Sequence, residues 1–479
     1  VHLAWYYLLG LVFIAAIVFS LLFEQHLVLF LPAVLLAGYL AVFSADKLIY
    51  LTVFLVPLSV TVHDLGFGAG MNLPTEPLII VLMSVAVLKF IREGFNDKEF
   101  IRHPVTIAVL FHLLWMLITC FSSTMPLVSF KHLLARCWFI IVFYFFASRL
   151  FYDFANIKKF LWTLIVPSVF VISFIMVRHS MEGFSRDAIM RLIHPFFWIH
   201  GVYSAMVALL IPPMVFFFIK GKELKVSALS RAFIAFFAVV FILAVIFSYT
   251  RAAWVSLLAV AGVMIVLLLR IKLSYIYAAV LLCLIGAVVF QKDIAMSLAR
   301  NKVGSNSKNM EKHLASATNI KNDPSNLERL NRWSCAWRMF KEKPLLGFGP
   351  GTYMFQYAPY QLSYEKTVIS TNFATLGHAH SEFLGPLAEG GLIGMLSWIA
   401  VFVLIFIRAL QLIYFSIEKS TRYMVMAVFL SLLTYFIHGF LNSYFDYDKI
   451  AAPFWAFAAI IVCLDVREKK QRLQYRADS

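Results

Sequence analysis

Charge is scarce in this chain. Asp, Glu, Lys and Arg make up only 14% of its 479 residues, against 62% hydrophobic. A water-soluble surface needs about a quarter charged residues, so a soluble domain is excluded. Cysteine is scarce too. Of the five, Cys120, Cys137, Cys283 and Cys463 fall in apolar runs and Cys335 sits alone in a polar stretch, so no disulfide framework is encoded. The polar–apolar alternation of barrel strands is missing, which leaves helices to cross a membrane. The glycines of "GFGPGTY" (347–353) are not followed by GK[ST], so this is no nucleotide phosphate loop and reads as tight turns. The first apolar run, Leu3 to Phe23, has neither a basic leader nor a small-residue cleavage pattern, and is expected to be a retained span. The net charge of +16 is dispersed between apolar runs rather than gathered on one face, which excludes a nucleic-acid partner. Membrane topology and anionic lipid-linked ligands account for it better.

What is abundant is apolar sequence long enough to cross a bilayer, rich in phenylalanine. The runs are 3–23, 27–44, 49–63, 77–92, 104–123, 132–150, 159–177, 200–219, 231–249, 252–269, 273–290, 383–408, 423–444 and 450–464. They predict an all-α polytopic membrane protein of about twelve to fourteen transmembrane helices. The 49–63 and 450–464 runs are short enough to be re-entrant or tilted. Three regions follow: an N-terminal bundle over 1–290, a large loop over 291–380, and C-terminal helices with a basic tail over 381–479.

Sidedness follows from the short connections. Arg92, Lys98 and Arg102 share one, Arg149, Lys158 and Lys159 another, Lys220, Lys222, Lys225 and Arg231 a third, and Arg408, Lys419 and Arg422 a fourth. Threading the spans puts all of these, the tail "REKKQRLQYR" and both termini in the cytoplasm, and the long loop outside. Within the loop, "ERLNRWSCAWRMFKEK" places Leu330, Trp333, Trp337 and Phe340 at helical spacing with basic residues on the other faces, a pattern suited to an interfacial helix. Tyr353, Tyr357, Tyr360 and Tyr364 read as an interfacial aromatic belt in preference to a sugar platform.

On this topology three stretches deliver ionisable groups to the outer side. "SYTRAAW" brings Arg251, "SRDAIMRLIHP" brings Arg186, Arg191 and His194, and "GHAHSEFL" brings His378 and His380. Guanidinium groups offer forked donors to a pyrophosphate and stay charged. An imidazole can take the proton from an attacking hydroxyl. Each group has a plainer reading as well. A lone arginine at a span end snorkels to headgroups, and a histidine there caps a helix or bonds a carbonyl. Glu382 and Glu389 suit backbone amides near a broken helix start. Arg136, inside a span, is functional by default but has no partner in the sequence. His112 and His438 read as hydrogen-bonded interior residues.

"HAHSEFLGPLAEGGLIG" resembles the signature of the O-antigen ligase and polymerase superfamily, roughly His-Asn-x-x-Leu-x-x-Leu-x-Glu-x-Gly-x-x-Gly. His380, Leu384, Leu387, Glu389, Gly391 and Gly394 match it, while Ser381 replaces the usual asparagine. "NLERLNRWSCAWRMFKEKPLLGFGPGTYMFQY" is similar to the family's large periplasmic loop, and "FSYTRAAWVSL" to its arginine-bearing span start. The resemblance covers roughly 185–400. It implies a GT-C-like fold and a glycosyltransferase of the bacterial inner membrane, working on the periplasmic face without metal, nucleotide sugar or other cofactor. The implied donor is a glycan on undecaprenyl pyrophosphate. By correspondence His380 is the catalytic base, and Arg191 and Arg251 hold the pyrophosphate. Arg186, His194, Arg329, Arg332, His378 and Glu389 are secondary candidates. The expected partners are that donor, a lipid A–core or other glycan acceptor, and membrane lipids. Ligase is the first expectation. A polymerase or a protein O-oligosaccharyltransferase would share the donor, and a flippase would line a translocation path with the same charges.

Overall fold

The structure, a computed structural model, describes residues 31–62, 70–95, 97–272, 324–367, 370–371 and 377–478, with isolated positions in 10–18 and 274–289. Among the described residues nine helices are long and apolar enough to cross a bilayer. They are Pro104–Phe121, Pro126–Phe151, Phe154–Met181, His200–Ile219, Ala228–Ile246, Arg251–Leu268, Leu384–Phe415, Lys419–Gly439 and Asp448–Gln474. Sheet is confined there to one antiparallel hairpin, Val60–Val62 with Met71–Leu73. The chain is an all-α, multi-pass membrane protein. The predicted 3–23 and 273–290 spans and the first part of the loop, 291–323, lie outside the described residues apart from isolated positions.

Two short runs turn out differently from each other. The 49–63 run is a helix only over Ala45–Leu55. Pro57 disfavours helix in the residue before it, and the β-branched Val60, Thr61 and Val62 then pair as a strand. The 450–464 run is no re-entrant segment but the middle of a helix, Asp448–Asp478. Hydropathy stops at the first charges of "REKKQRLQYR", whereas helix propensity continues through them. This last helix is 94% buried over its apolar window and forms the centre of the bundle. Ala451, Ala452, Ala456, Ala458 and Ala459 let neighbours approach closely. Between them Phe454 and Trp455 meet Phe402, Phe445 and Trp398.

Contacts sort the connections into two ends. At one, His103 bonds Asp465 at 2.9 Å, Arg149 pairs with Asp46, Lys220 lies over Tyr423, and Glu468 accepts from the Ile417 amide at 2.8 Å. The four basic connections and the tail thus converge on one end of the bundle. The other end carries the loop. There a buried cluster ties the hairpin to the last helix: Ser59 and Thr75 donate to Asp448 at 2.7 and 2.5 Å, and Lys449 donates to the Ser59 carbonyl at 2.9 Å.

Candidate active site

The stretch after His380 becomes a long helix, Leu384–Phe415, with a kink at Gly391, whose φ is +67°. That left-handed backbone suits only glycine, and a β-carbon there would overlap the Leu345 carbonyl oxygen. The kink is where the glycine turns of the loop dock. Phe348 and Gly349 amides donate to the carbonyls of Ala388 and Glu389 at 3.1 and 2.8 Å, and the Leu392 amide to Pro344 at 2.9 Å. Glu389 accepts from the Tyr353 amide at 3.0 Å, and Trp115 donates to the Gly390 carbonyl at 2.8 Å. Glu382 accepts on one oxygen from Tyr435 and from the Tyr444 and Phe445 amides, at 2.5, 2.7 and 3.2 Å. Both acids therefore bind backbone amides, as the sequence suggested. "GFGPGTY" is a set of turns, with Gly347, Gly349 and Gly351 all at positive φ.

His380 stands just before this helix with φ at +50°, uncommon for a residue with a β-carbon. Its backbone N–H donates to His378 Nδ1 at 3.1 Å, and the two rings lie 4.3 Å apart, nearly edge to face. Its carbonyl accepts from Trp333 Nε1 at 3.4 Å. Burial, then the neighbouring His378, Arg329 and Arg332, hold the His380 imidazole well below the ordinary histidine value. His378 is pushed down to about 4, by burial first, opposed by Asp446 and reinforced by Arg332 and Arg329. Both rings are neutral at physiological pH.

The cations are arranged along the loop helix Pro324–Glu342. Near its start Asn326 accepts from Arg251 Nη2 at 3.3 Å. Seven residues on, Trp333 meets the His380 carbonyl. At 1.5 Å per residue the two attachment points are about 10 Å apart. Between them lie Arg329, which donates to the Leu441 carbonyl at 3.3 Å, and Arg332. Arg332 is 3% exposed, bonded to Glu328 at 2.7 Å and stacked on Tyr357, and it packs against Gly377, where a β-carbon would overlap its guanidinium. Arg329 and Arg332 on this helix are thus gathered with His378 and His380 on the segment beside it, and Arg251 meets the helix start from the neighbouring span.

Arg191 is placed elsewhere. It is 72% exposed and paired with Glu182 at 2.7 Å. Its segment is tied to the Arg251 turn, since Tyr249 donates to the Phe184 carbonyl at 3.0 Å. Arg186 lies beside Tyr249: burial raises that phenol, and the Arg186 charge works the other way. His194 rests edge-on against Trp198, and its carbonyl accepts from Arg178 at 3.5 Å.

Behind His378 opens a cavity of about 160 Å³, lined among others by His132, Arg136, Glu382, Glu389 and Asp446. Arg136 gains the partner that the sequence did not supply, Asp446, at 3.1 Å, and also donates to His132 at 3.3 Å. Asp446 lines this cavity, and 59% of its side chain is exposed. Burial raises its carboxyl, yet Arg136, His132 and His378 outweigh that and hold it below the ordinary aspartate value. His132 and Asp446 escaped the sequence reading. They lie 314 positions apart with no shared local pattern, and only packing joins them.

Three expectations need correction or completion. Tyr353 and Tyr357 form no interfacial belt: they are buried and stacked at 5.5 Å in a small core with Cys335 and Met339, whereas Tyr364 is exposed. The loop helix carries basic residues inward as well as outward, because Glu328 and Tyr357 give Arg332 buried partners, while Leu330 and Trp337 stay exposed, as an interfacial helix requires. His112 is hydrogen-bonded to Ser397 at 2.8 Å, but both ring nitrogens of the buried His438 lack a hydrogen-bond partner among the described residues.

No curated protein matches the chain. Residues 236–399 match the family model described as O-antigen ligase. That stretch contains Arg251, the loop helix and the kinked segment through the docking glycines, and excludes Arg186, Arg191 and His194. Members of this family are glycosyltransferase-like ligases and polymerases. The matched stretch coincides with the helix and histidine segment just described, and over it the chain is similar to the O-antigen ligase family.

Proposed function

We propose that the chain is an O-antigen ligase of the bacterial inner membrane, moving a glycan from undecaprenyl pyrophosphate to a lipid A–core hydroxyl at the loop end of the bundle, facing the periplasm. The observation that supports this most is the spacing along the loop helix, whose contacts with Arg251 and with the His380 backbone start about 10 Å apart along its axis. A pyrophosphate bridged between Arg251 and Arg329 would leave its sugar carbon near His380. The acceptor hydroxyl attacks that carbon, the bond to the pyrophosphate oxygen breaks, and the electron pair leaves with the pyrophosphate. Arginine charge stabilises this departing anion, and His380 takes the hydroxyl proton.

The weak basicity of His380 in the free protein fits this order of events. Arg329 and Arg332 help to suppress its protonation. A bound pyrophosphate would offset their field and strengthen the base when the donor is in place. Arg191 is proposed as a further donor contact that must first exchange Glu182 for the substrate. The cavity beside His378 is lined by Trp115, Trp398 and Tyr353 together with Arg136 and Asp446. That mixture suits sugar rings, which have apolar faces and hydroxyl rims. The regions 1–290, 291–380 and 381–479 divide the work into a bundle, a site-covering loop and the helices that hold the histidine segment.

Purified protein reconstituted with undecaprenyl-pyrophosphate glycan tests the reading. Transfer to lipid A–core, lost in His380→Ala, is the expected result. Transfer only to a second lipid-linked repeat unit would make the protein a polymerase, and transfer only to serine or threonine a protein glycosyltransferase. Wild-type transfer by His380→Ala would end the catalytic-base assignment. Glycan translocation without transfer would replace the enzyme with a flippase.

A further inference from the structure

A second polar cleft lies at the opposite end of the bundle, at the far end of the kinked helix that the histidine segment opens. It has a volume of about 630 Å³ and opens between the start of Pro104–Phe121, the end of Leu384–Phe415 and the last helix. Its walls bring together Lys98, Arg102, Arg408, Lys469 and Arg472 from three separate stretches. Two of these charges are answered within the protein. Arg408 stands 3.9 Å from Asp465, and Arg472 lies 3.4 Å from Glu468. Lys98, Arg102 and Lys469 have no ion-pair partner among the described residues, and the acid left to oppose them is Glu99.

Two buried atoms in the walls of the same cleft are also unsatisfied. Arg408 Nε has no acceptor and Glu99 Oε2 has no donor among the described residues. Both atoms are closed off from the cleft itself, but Glu99 lines it and brings a carboxylate that a ligand donor can answer. The required ligand is an anion that accepts from several cations and also carries a donor for Glu99. Leu412 and Phe415 add an apolar wall on the side of the spanning helices.

We propose that this cleft binds a phosphodiester anion bearing a neighbouring hydroxyl, the chemistry of a glycerophosphate headgroup. Phosphate oxygens accept from Lys98, Arg102 and Lys469, and the hydroxyl donates to Glu99. The proposal is independent of the reaction at the loop end. The same headgroup could arrive on a membrane lipid or as soluble glycerol phosphate.

The test is native mass spectrometry of the full chain in detergent, titrated with phosphatidylglycerol, phosphatidylethanolamine or soluble glycerol 3-phosphate. One variant is Lys98→Gln/Arg102→Gln/Lys469→Gln. The control, Lys222→Gln/Lys225→Gln/Lys419→Gln, removes equal charge from the same end. Phosphatidylglycerol is expected to bind the wild type and the control alike, with affinity falling on the order of a hundredfold in the cleft variant. Cleft-dependent binding of glycerol 3-phosphate as tight as that of the lipid would identify the soluble source. Equal binding of phosphatidylethanolamine and phosphatidylglycerol, or equal losses in both variants, would overturn the proposal. Either would reduce the cleft to general surface attraction.

Discussion

The ring of His378 accepts the backbone N–H of His380 at 3.1 Å while their imidazoles lie 4.3 Å apart. His378 therefore holds His380 in its unusual left-handed backbone. Misplacing a catalytic group by about 1 Å can cost a hundredfold in rate. His378→Ala is expected to lower kcat by about that factor with KM for the donor little changed. His378→Asn, which keeps a side-chain acceptor, should recover most of the loss. Wild-type kcat in His378→Ala would remove the positioning role.

His380→Ala is expected to lower transfer by a factor of roughly a hundred to ten thousand, the usual contribution of a general base. The variant should keep its melting temperature in detergent within a few degrees, since among the described residues only the His380 backbone is hydrogen-bonded to neighbours.

Arg251→Lys keeps the charge but loses the fork that reaches Asn326. A drop in kcat/KM of about ten- to a hundredfold is expected, in line with a charged hydrogen bond of about 1.5–3 kcal/mol. Arg191 is exposed and already paired with Glu182, so Arg191→Lys should cost less. Rates measured over a range of donor concentrations compare the two. The reverse order would move the pyrophosphate away from the loop helix.

The histidine pair also sets a pH dependence. The folded protein holds His380 well below, and His378 down to about 4 against, an unfolded value near 6.5. As pH falls through 6.5 the unfolded chain binds protons that the folded one refuses. Their contribution to stability is thus full above pH 6.5 and shrinks between pH 6.5 and about 4. Melting temperature should fall over that window, less so in His378→Ala. The acid limb of kcat/KM should lie well below pH 6.5, and a limb at 6.5 would contradict the suppressed basicity.

Gly391→Ala forces a β-carbon into a positive-φ kink against the Leu345 carbonyl. A loss of about 1–3 kcal/mol is expected, read as a lower melting temperature. Gly262→Ala, inside the Arg251–Leu268 helix with nothing within 4 Å of the new β-carbon, serves as the control and should keep or slightly raise the melting temperature.

Much of this was legible in the chain itself. Apolar runs marked the spans because a bilayer demands about twenty residues without charge, whatever surrounds them. Glu389, Gly391 and Gly394 stood out as matches to the superfamily signature, but that the loop docks at the Gly391 kink only the structure showed. Arg136 was visibly costly inside a span, but its partner lies 310 positions later at Asp446, and no local pattern links them. Tyr353 and Tyr357 carry the same composition whether they face lipid or each other.

Hydropathy and backbone chemistry are local, so sequence alone determined that this chain crosses a membrane many times and that the histidine segment opens a kinked helix. Electrostatic partnership depends on distance through space. Only the tertiary structure decided that Arg251 and His380 are attached about 10 Å apart along one helix, while Arg191 answers Glu182 instead.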